Sequence, residues 1–121
     1  MGKTVLIVDD SSSLRQVVSM ALKGGGYEVI EACDGKDALT KLAGQKIHLV
    51  ISDVNMPNMD GITFVKEMKK NPAYKFVPVI MLTTEGSEEK KKAGQEAGAK
   101  AWVVKPFQPA QMLAAVSKLL M

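Results

Sequence analysis

The stretch His48-Leu49-Val50-Ile51-Ser52-Asp53-Val54-Asn55-Met56-Pro57-Asn58-Met59-Asp60-Gly61 decides how the rest of the chain is read. His48 to Ser52 is mostly apolar, as a strand covered on both faces requires, and the Asn, Pro, Asp and Gly that follow are turn formers that end it after Asp53. Asp53 is thereby delivered to a strand's carboxyl edge. In open α/β sheets ligands bind along that edge, so the other strands are read for what they bring to it.

Working outward, Lys3 to Val8 is a β-branched apolar run that meets Asp9-Asp10-Ser11-Ser12-Ser13, a cluster of helix N-cap residues. Leu14, Val17, Val18, Ala21 and Leu22 then recur at helical spacing until Gly24-Gly25-Gly26 stops the helix. Those glycines close a helix instead of opening one, which rejects a phosphate-cradling loop. Tyr27 to Ala32 reads as the second strand. Asp34-Gly35 opens a helix with Ala38, Leu39, Leu42 and Ala43 inward, closed by Gly44. After the Asp53 strand, a helix carrying Ile62, Phe64, Val65 and Met68 ends near Asn71-Pro72, where proline forbids continuation. Pro78 to Leu82 is the fourth strand. Ser87 caps a charged helix that runs to Ala97 and stops at Gly98, Ala101 to Val104 is the fifth strand, and the last helix spans about Pro109 to Leu120. Repeated βαβ units imply an α/β fold with a parallel sheet covered on both faces.

At 121 residues the chain fits one domain, residues 1–121, able to bury roughly two thirds of its unfolded surface. Hydrophobic residues at 46% and charged residues at 24% argue against disorder and for a soluble globular protein. No apolar run approaches the roughly 18 residues that span a bilayer, and no signal-peptide pattern opens the chain, so a cytoplasmic location without membrane insertion is expected. Cys33 is alone, which excludes an internal disulfide, and a small packed residue is the expectation for it. The net charge of +3 permits nucleic-acid binding without demanding it. Lys90-Lys91-Lys92 follows Glu88 and Glu89 on one helix, a self-compensating solvated face, and no nucleic-acid recognition signature is present.

The strand ends carry the chemistry. Strand one ends in Asp9-Asp10, strand three in Asp53, strand four in Thr83-Thr84 and strand five in Lys105-Pro106. Three crowded carboxylates repel unless a hard divalent cation sits among them, and a donor set of oxygens without thiolate or paired imidazoles suits Mg²⁺. Lys105 adds a charge that can pair with an acid at rest or a phosphoryl oxygen in use, and the Thr83 hydroxyl can donate to the same oxygen. A carboxylate so surrounded is a nucleophile arranged to accept a phosphoryl group.

Val8-Asp9-Asp10, Ile51 to Pro57, Met59-Asp60-Gly61, Leu82-Thr83 and Lys105-Pro106-Phe107 together resemble the receiver domain of two-component response regulators over the whole chain, most of all the stand-alone chemotaxis regulators of the CheY type. The resemblance supplies a single flavodoxin-like (βα)5 domain, doubly wound, with a five-stranded parallel sheet of order 2-1-3-4-5, the order that accompanies that protein type in general accounts of such sheets. It implies that Asp53 accepts phosphate from a sensor histidine kinase of chemotaxis type, with Mg²⁺ required. Asp10 and Asp53 would ligate the metal by side chain, Asn55 by its backbone carbonyl and Asp9 through water. Thr83 and Lys105 would bind the phosphoryl oxygens, with the Lys105–Pro106 bond in cis. Asn55 and Glu85 would tune dephosphorylation, and Thr83 would couple to Trp102 as the switch.

Two positions depart from the pattern: Trp102 stands where the family usually has Tyr or Phe, and Thr84 where many relatives have Ala or Gly. A partly buried core tryptophan with its indole N–H satisfied is the plain alternative for Trp102. The face of the fourth helix, fifth strand and fifth helix, with Trp102, the lysine run and Gln111, is the expected partner surface, and the flagellar motor switch the candidate target. The implied protein is a monomeric switch that catalyses only its own phosphorylation and dephosphorylation. Rivals are a phosphate sink or accessory regulator that never touches the motor and, less favoured because no insertion is long enough for a substrate cap, a small Mg²⁺-dependent phosphatase. His48, the sole histidine, is expected to be a packed or surface residue, and Met20, Met68, Met81 and Met112 are expected to fill the core.

Overall fold

Short aliphatic runs alternate with amphipathic helices throughout the computed structural model, which describes residues 3–54, 56, 58–83, 88–105 and 107–120. In chain order these are β1 (Thr4–Val8), α1 (Ser12–Gly24), β2 (Glu28–Ala32), α2 (Gly35–Leu42), β3 (Leu49–Asp53), α3 (Gly61–Lys69), β4 (Val79–Thr83), α4 (Glu88–Ala97), β5 (Ala101–Val104) and α5 (Pro109–Leu119). The strands form one parallel sheet of order β2-β1-β3-β4-β5. This is the expected flavodoxin-like architecture.

The period of two along a strand divides the core between the sheet's faces. Leu6, Val8, Val50, Val79 and Met81 pack with Phe64, Val65 and Met68 of α3. Val5, Ile7, Leu49, Ile51, Ile80 and Leu82 pack with Val18 and Leu22 of α1 and Met112 and Val116 of α5. β3 and β4 are buried along their whole length, which is why they contain no polar alternation.

The helices start where the side chains dictate. Ser11 accepts from the Leu14 amide, Asp34 from the Asp37 amide and Asp60 from the Thr63 amide, each satisfying an otherwise orphaned donor of the first turn. Gly98, at φ +113°, follows α4 as anticipated; the Ser87 cap lies outside the described residues. Three expectations about burial are corrected, the first being that Ala43, read as inward, is exposed one residue past the end of α2. Met20 is 74% exposed, because it is two residues from both Val18 and Leu22 and so on the opposite side of α1 from the core. Cys33 is exposed, one residue past the end of edge strand β2, where its thiol is pushed up chiefly by its hydrogen bond to Asp37, then by burial and the Asp37 and Asp34 charges.

His48 stitches β1 to the start of β3: its amide donates to Thr4 O at 2.9 Å and its Nδ1 accepts from the Thr4 amide at 2.9 Å. It is a packed residue remote from the carboxyl edge.

Candidate functional site

The register of β1 on β3 pairs Val8 with Ser52, so the residues that follow, Asp9 and Asp53, arrive side by side. Asp9 is fully buried; its Oδ1 accepts from the Ser11 amide at 2.9 Å, which ties it to the entry of α1. Its backbone carbonyl accepts from Arg15 Nη1, and Arg15 Nε also pairs with Glu31 at 3.3 Å. Asp53 is the last residue of β3 and 6% exposed, whereas Asp10 is exposed. One carboxylate oxygen from each of Asp9, Asp10 and Asp53 lies within 4.8 Å of the others.

Lys105 comes from the far side of β4. Its amide donates to Thr83 O at 2.7 Å, extending the β4–β5 ladder, and its Nζ reaches Asp9 Oδ2 at 3.1 Å and Asp53 Oδ2 at 3.2 Å. Thr83 closes β4 at the same rim, fully buried. Four of the residues expected at the carboxyl edge, Asp9, Asp10, Asp53 and Lys105, are therefore together, with Thr83 ending the strand between Asp53 and Lys105.

Burial, and after it the Asp9 charge, pushes the Asp53 carboxyl up from its ordinary range; Lys105 and the Val54 amide oppose the rise. Burial pulls the Lys105 ammonium down, but its hydrogen bond to Asp9 and the Asp9 and Asp53 charges outweigh this and leave it raised. With its acids ionised the cluster holds three negative charges against the one of Lys105, an excess of two that a divalent cation would cancel. The donor set fits a hard metal ion: oxygens only, one member exposed to leave room for water, and no thiolate or imidazole among the three.

Trp102 pairs in register with Met81 and packs against the core on the α3 side. The expectation of a satisfied indole is corrected: Nε1 is buried without a hydrogen-bond partner among the described residues. Lys92 and Gln111 lie exposed on α4 and α5. Asn55, Glu85, Thr84 and Pro106, and with Pro106 the expected cis bond, lie outside the described residues. Two contacts at the rim have no forerunner in the sequence reading: Arg15 on the Asp9 carbonyl, and Asn58 Nδ2 donating to Asp34 Oδ2 at 2.8 Å. The turn composition of Pro57 to Gly61 signals a loop without revealing which side chain crosses to another one.

Residues 5–117 match the response regulator receiver domain. The chain belongs to that family. This receiver is similar in structure to Vibrio cholerae chemotaxis protein CheY4, with a TM-score of 0.95 and 48% identity, covering 99% of this chain and 100% of that one. Among curated proteins it is 35% identical to the phosphate regulon transcriptional regulatory protein PhoB of Pseudomonas aeruginosa, over 99% of this chain and 52% of the relative. It is 37% identical to the alkaline phosphatase synthesis transcriptional regulatory protein PhoP of Bacillus subtilis, over 99% of this chain and 49% of the relative. The receiver thus spans about half the length of these curated relatives. Membership implies a two-component system with a histidine kinase partner. No helix among the described residues is long and apolar enough to cross a membrane.

Proposed function

We propose that Asp53 is the phosphoacceptor of a Mg²⁺-dependent phosphorelay, and that its phosphorylation switches binding to a protein target. The observation that carries this is the Lys105 ammonium bridging Asp9 and Asp53 beside the exposed Asp10. Asp53 Oδ attacks the phosphorus of a phosphohistidine, the carboxylate oxygen–phosphorus bond forms as the nitrogen–phosphorus bond breaks, and the imidazole leaves with the electron pair and takes a proton from solvent. Lys105 passes from the Asp53 carboxylate to a phosphoryl oxygen, with the Thr83 hydroxyl as a second donor. Asp9, Asp10, Asp53 and the Asn55 carbonyl would hold Mg²⁺, which when bound neutralises the charge that builds on the phosphoryl oxygens. Beside Lys105 an open, mainly apolar hollow of about 300 Å³, lined by Ser11, Leu14, Val17, Lys105 and Phe107, offers the phosphodonor domain a seat next to the nucleophile.

The chain's chemistry is directed at itself: the acid cluster serves one carboxylate, and output comes from the added charge of about −1.5 to −2 biasing a two-state surface. The 48% identity to CheY4 over that protein's full chain supports a chemotaxis regulator with a chemotaxis-type kinase, acting in the cytoplasm as a monomer through the α4-β5-α5 face on the flagellar motor switch. The rival is an output on DNA like that of the transcriptional regulators PhoB and PhoP, supported by their matches. Binding of the phosphorylated and unphosphorylated chain to a motor-switch peptide separates these: phosphorylation-dependent binding is expected, and equal or no binding by both forms rejects the motor reading in favour of a sink, an accessory regulator or a DNA output.

A further inference from the structure

We infer that Asn58 is a positioning residue for the phosphoacceptor, acting through a hydrogen bond that ties the loop after Asp53 to the N-terminus of α2. The inference rests on the reading of Asp53 as phosphoacceptor. The loop from Val54 to Gly61 is fixed at its ends, where the Gly61 amide donates to Val54 O at 2.9 Å and the Val54 amide to Leu82 O at 2.9 Å. Its middle is fixed by something remote. Asn58 Nδ2 donates at 2.8 Å to Asp34 Oδ2, whose other oxygen accepts from the Asp37 amide at 2.8 Å. Asp34 is 7% exposed, so both its oxygens are used where water has little access.

The geometry is more selective than an ordinary turn. Asn58 is the only non-glycine residue with positive φ among the described residues, at +67°, a conformation that Asn tolerates better than most side chains. One residue further on, Met59 lies against α2: a β-carbon on Gly35 would fall 2.9 Å from Met59 O and 2.8 Å from Met59 Cγ. Two neighbouring residues of α2's start, Asp34 and Gly35, thus receive two neighbouring residues of the loop, Asn58 and Met59. Since the sheet order is β2-β1-β3, this contact joins the loop after β3 to the one after β2, with the end of β1 and its Asp9-Asp10 between them. The clasp therefore spans the end of β1, which carries two of the three acids. If it opens, the backbone leading from Asp53 loses its central anchor, and the oxygens now within 4.8 Å of one another spread. Loss of a group that orients metal ligands without touching the metal typically lowers metal affinity or activity by about 10-fold or more.

The test uses the whole chain and three variants: N58G, which keeps the left-handed backbone and loses the amide; N58D, which sets carboxylate against carboxylate; and D34N/N58D, which reverses donor and acceptor while the amide oxygen introduced at position 34 still accepts from the Asp37 N–H. Mg²⁺ affinity is measured by calorimetry without any phosphodonor, the initial rate of phosphorylation with a small acyl phosphate, and folding by the thermal midpoint. N58G and N58D are expected to lose about 10-fold in Mg²⁺ affinity and in rate, and D34N/N58D to recover both to within about twofold. Wild-type affinity and rate in N58G and N58D, with only the thermal midpoint lowered, overturn the inference, as does failure of the double variant to recover while folded. A wild type that binds Mg²⁺ but takes up no phosphate removes the phosphoacceptor reading itself and the inference with it, a failure seen without any variant.

Discussion

A β-carbon on Gly61 would overlap the carbonyl oxygen of Asp53 and sit 3.0 Å from Ser52 Oγ. The first turn of α3 is therefore laid directly on the backbone of Asp53, the proposed phosphoacceptor, and neither can shift alone. Gly61→Ala should destabilise the chain by about 3 kcal/mol, the upper range for forced overpacking, and lower Asp53 phosphorylation even in the folded fraction. Urea unfolding alongside phosphorylation at saturating Mg²⁺ measures both.

Asp10 is the exposed member of a trio of like charges, so its removal relieves repulsion at little packing cost. Asp10→Asn should raise the thermal midpoint in chelator. It should also lose most of the Mg²⁺-dependent gain, which for the wild type is about 2.7 kcal/mol at a metal concentration a hundred times Kd. Thermal melts with and without Mg²⁺ decide it; an unchanged gain in Asp10→Asn contradicts a ligand role for Asp10.

Burial first, then the Lys3 and Lys46 charges, lowers the His48 imidazole from its ordinary value of 6.5, and its Nδ1 is occupied as an acceptor from the Thr4 amide. The unfolded chain thus binds this proton more readily than the folded one. The contribution of His48 to stability is complete above pH 6.5 and is lost as pH falls through the lower folded value. His48→Gln, which can still accept from Thr4, should flatten the fall in urea midpoint below pH 6.5 relative to wild type; parallel curves would show that another group titrates there.

The indole N–H of Trp102 is buried without a partner among the described residues, and an unsatisfied buried donor costs about 1–3 kcal/mol. Trp102→Phe removes that donor while keeping a ring against the core, so the lost packing and the lost penalty offset. A stability change under about 1 kcal/mol in chemical denaturation is expected, well short of the roughly 3–5 kcal/mol typical of deleting a buried aromatic.

The strands were legible because a strand covered on both faces reads as an unbroken aliphatic run, and the acidic and basic residues at their ends needed only a parallel sheet to be brought together. Asp53, Asp9, Asp10 and Lys105 follow from that one inference. What escaped depends on distances that periodicity does not encode. Met20 is expected inside on its apolar side chain alone, against a helical spacing that sets it opposite Val18 and Leu22, and nothing local shows whether the indole of Trp102 meets an acceptor among the described residues. The Asn58 to Asp34 contact joins two loops 24 residues apart, brought together because α2 and α3 pack on the same face of the sheet across β1.

The carboxylate of Asp53 itself is expected to become the acyl phosphate. Incubation with Mg²⁺ and a small acyl phosphate, reductive trapping with borohydride and peptide mapping test it directly, since only a phosphorylated aspartate is reduced to homoserine. Homoserine is expected at position 53, absent when Mg²⁺ is chelated and absent in Asp53→Ala. Phosphate trapped at another residue, or undiminished in Asp53→Ala, would contradict it.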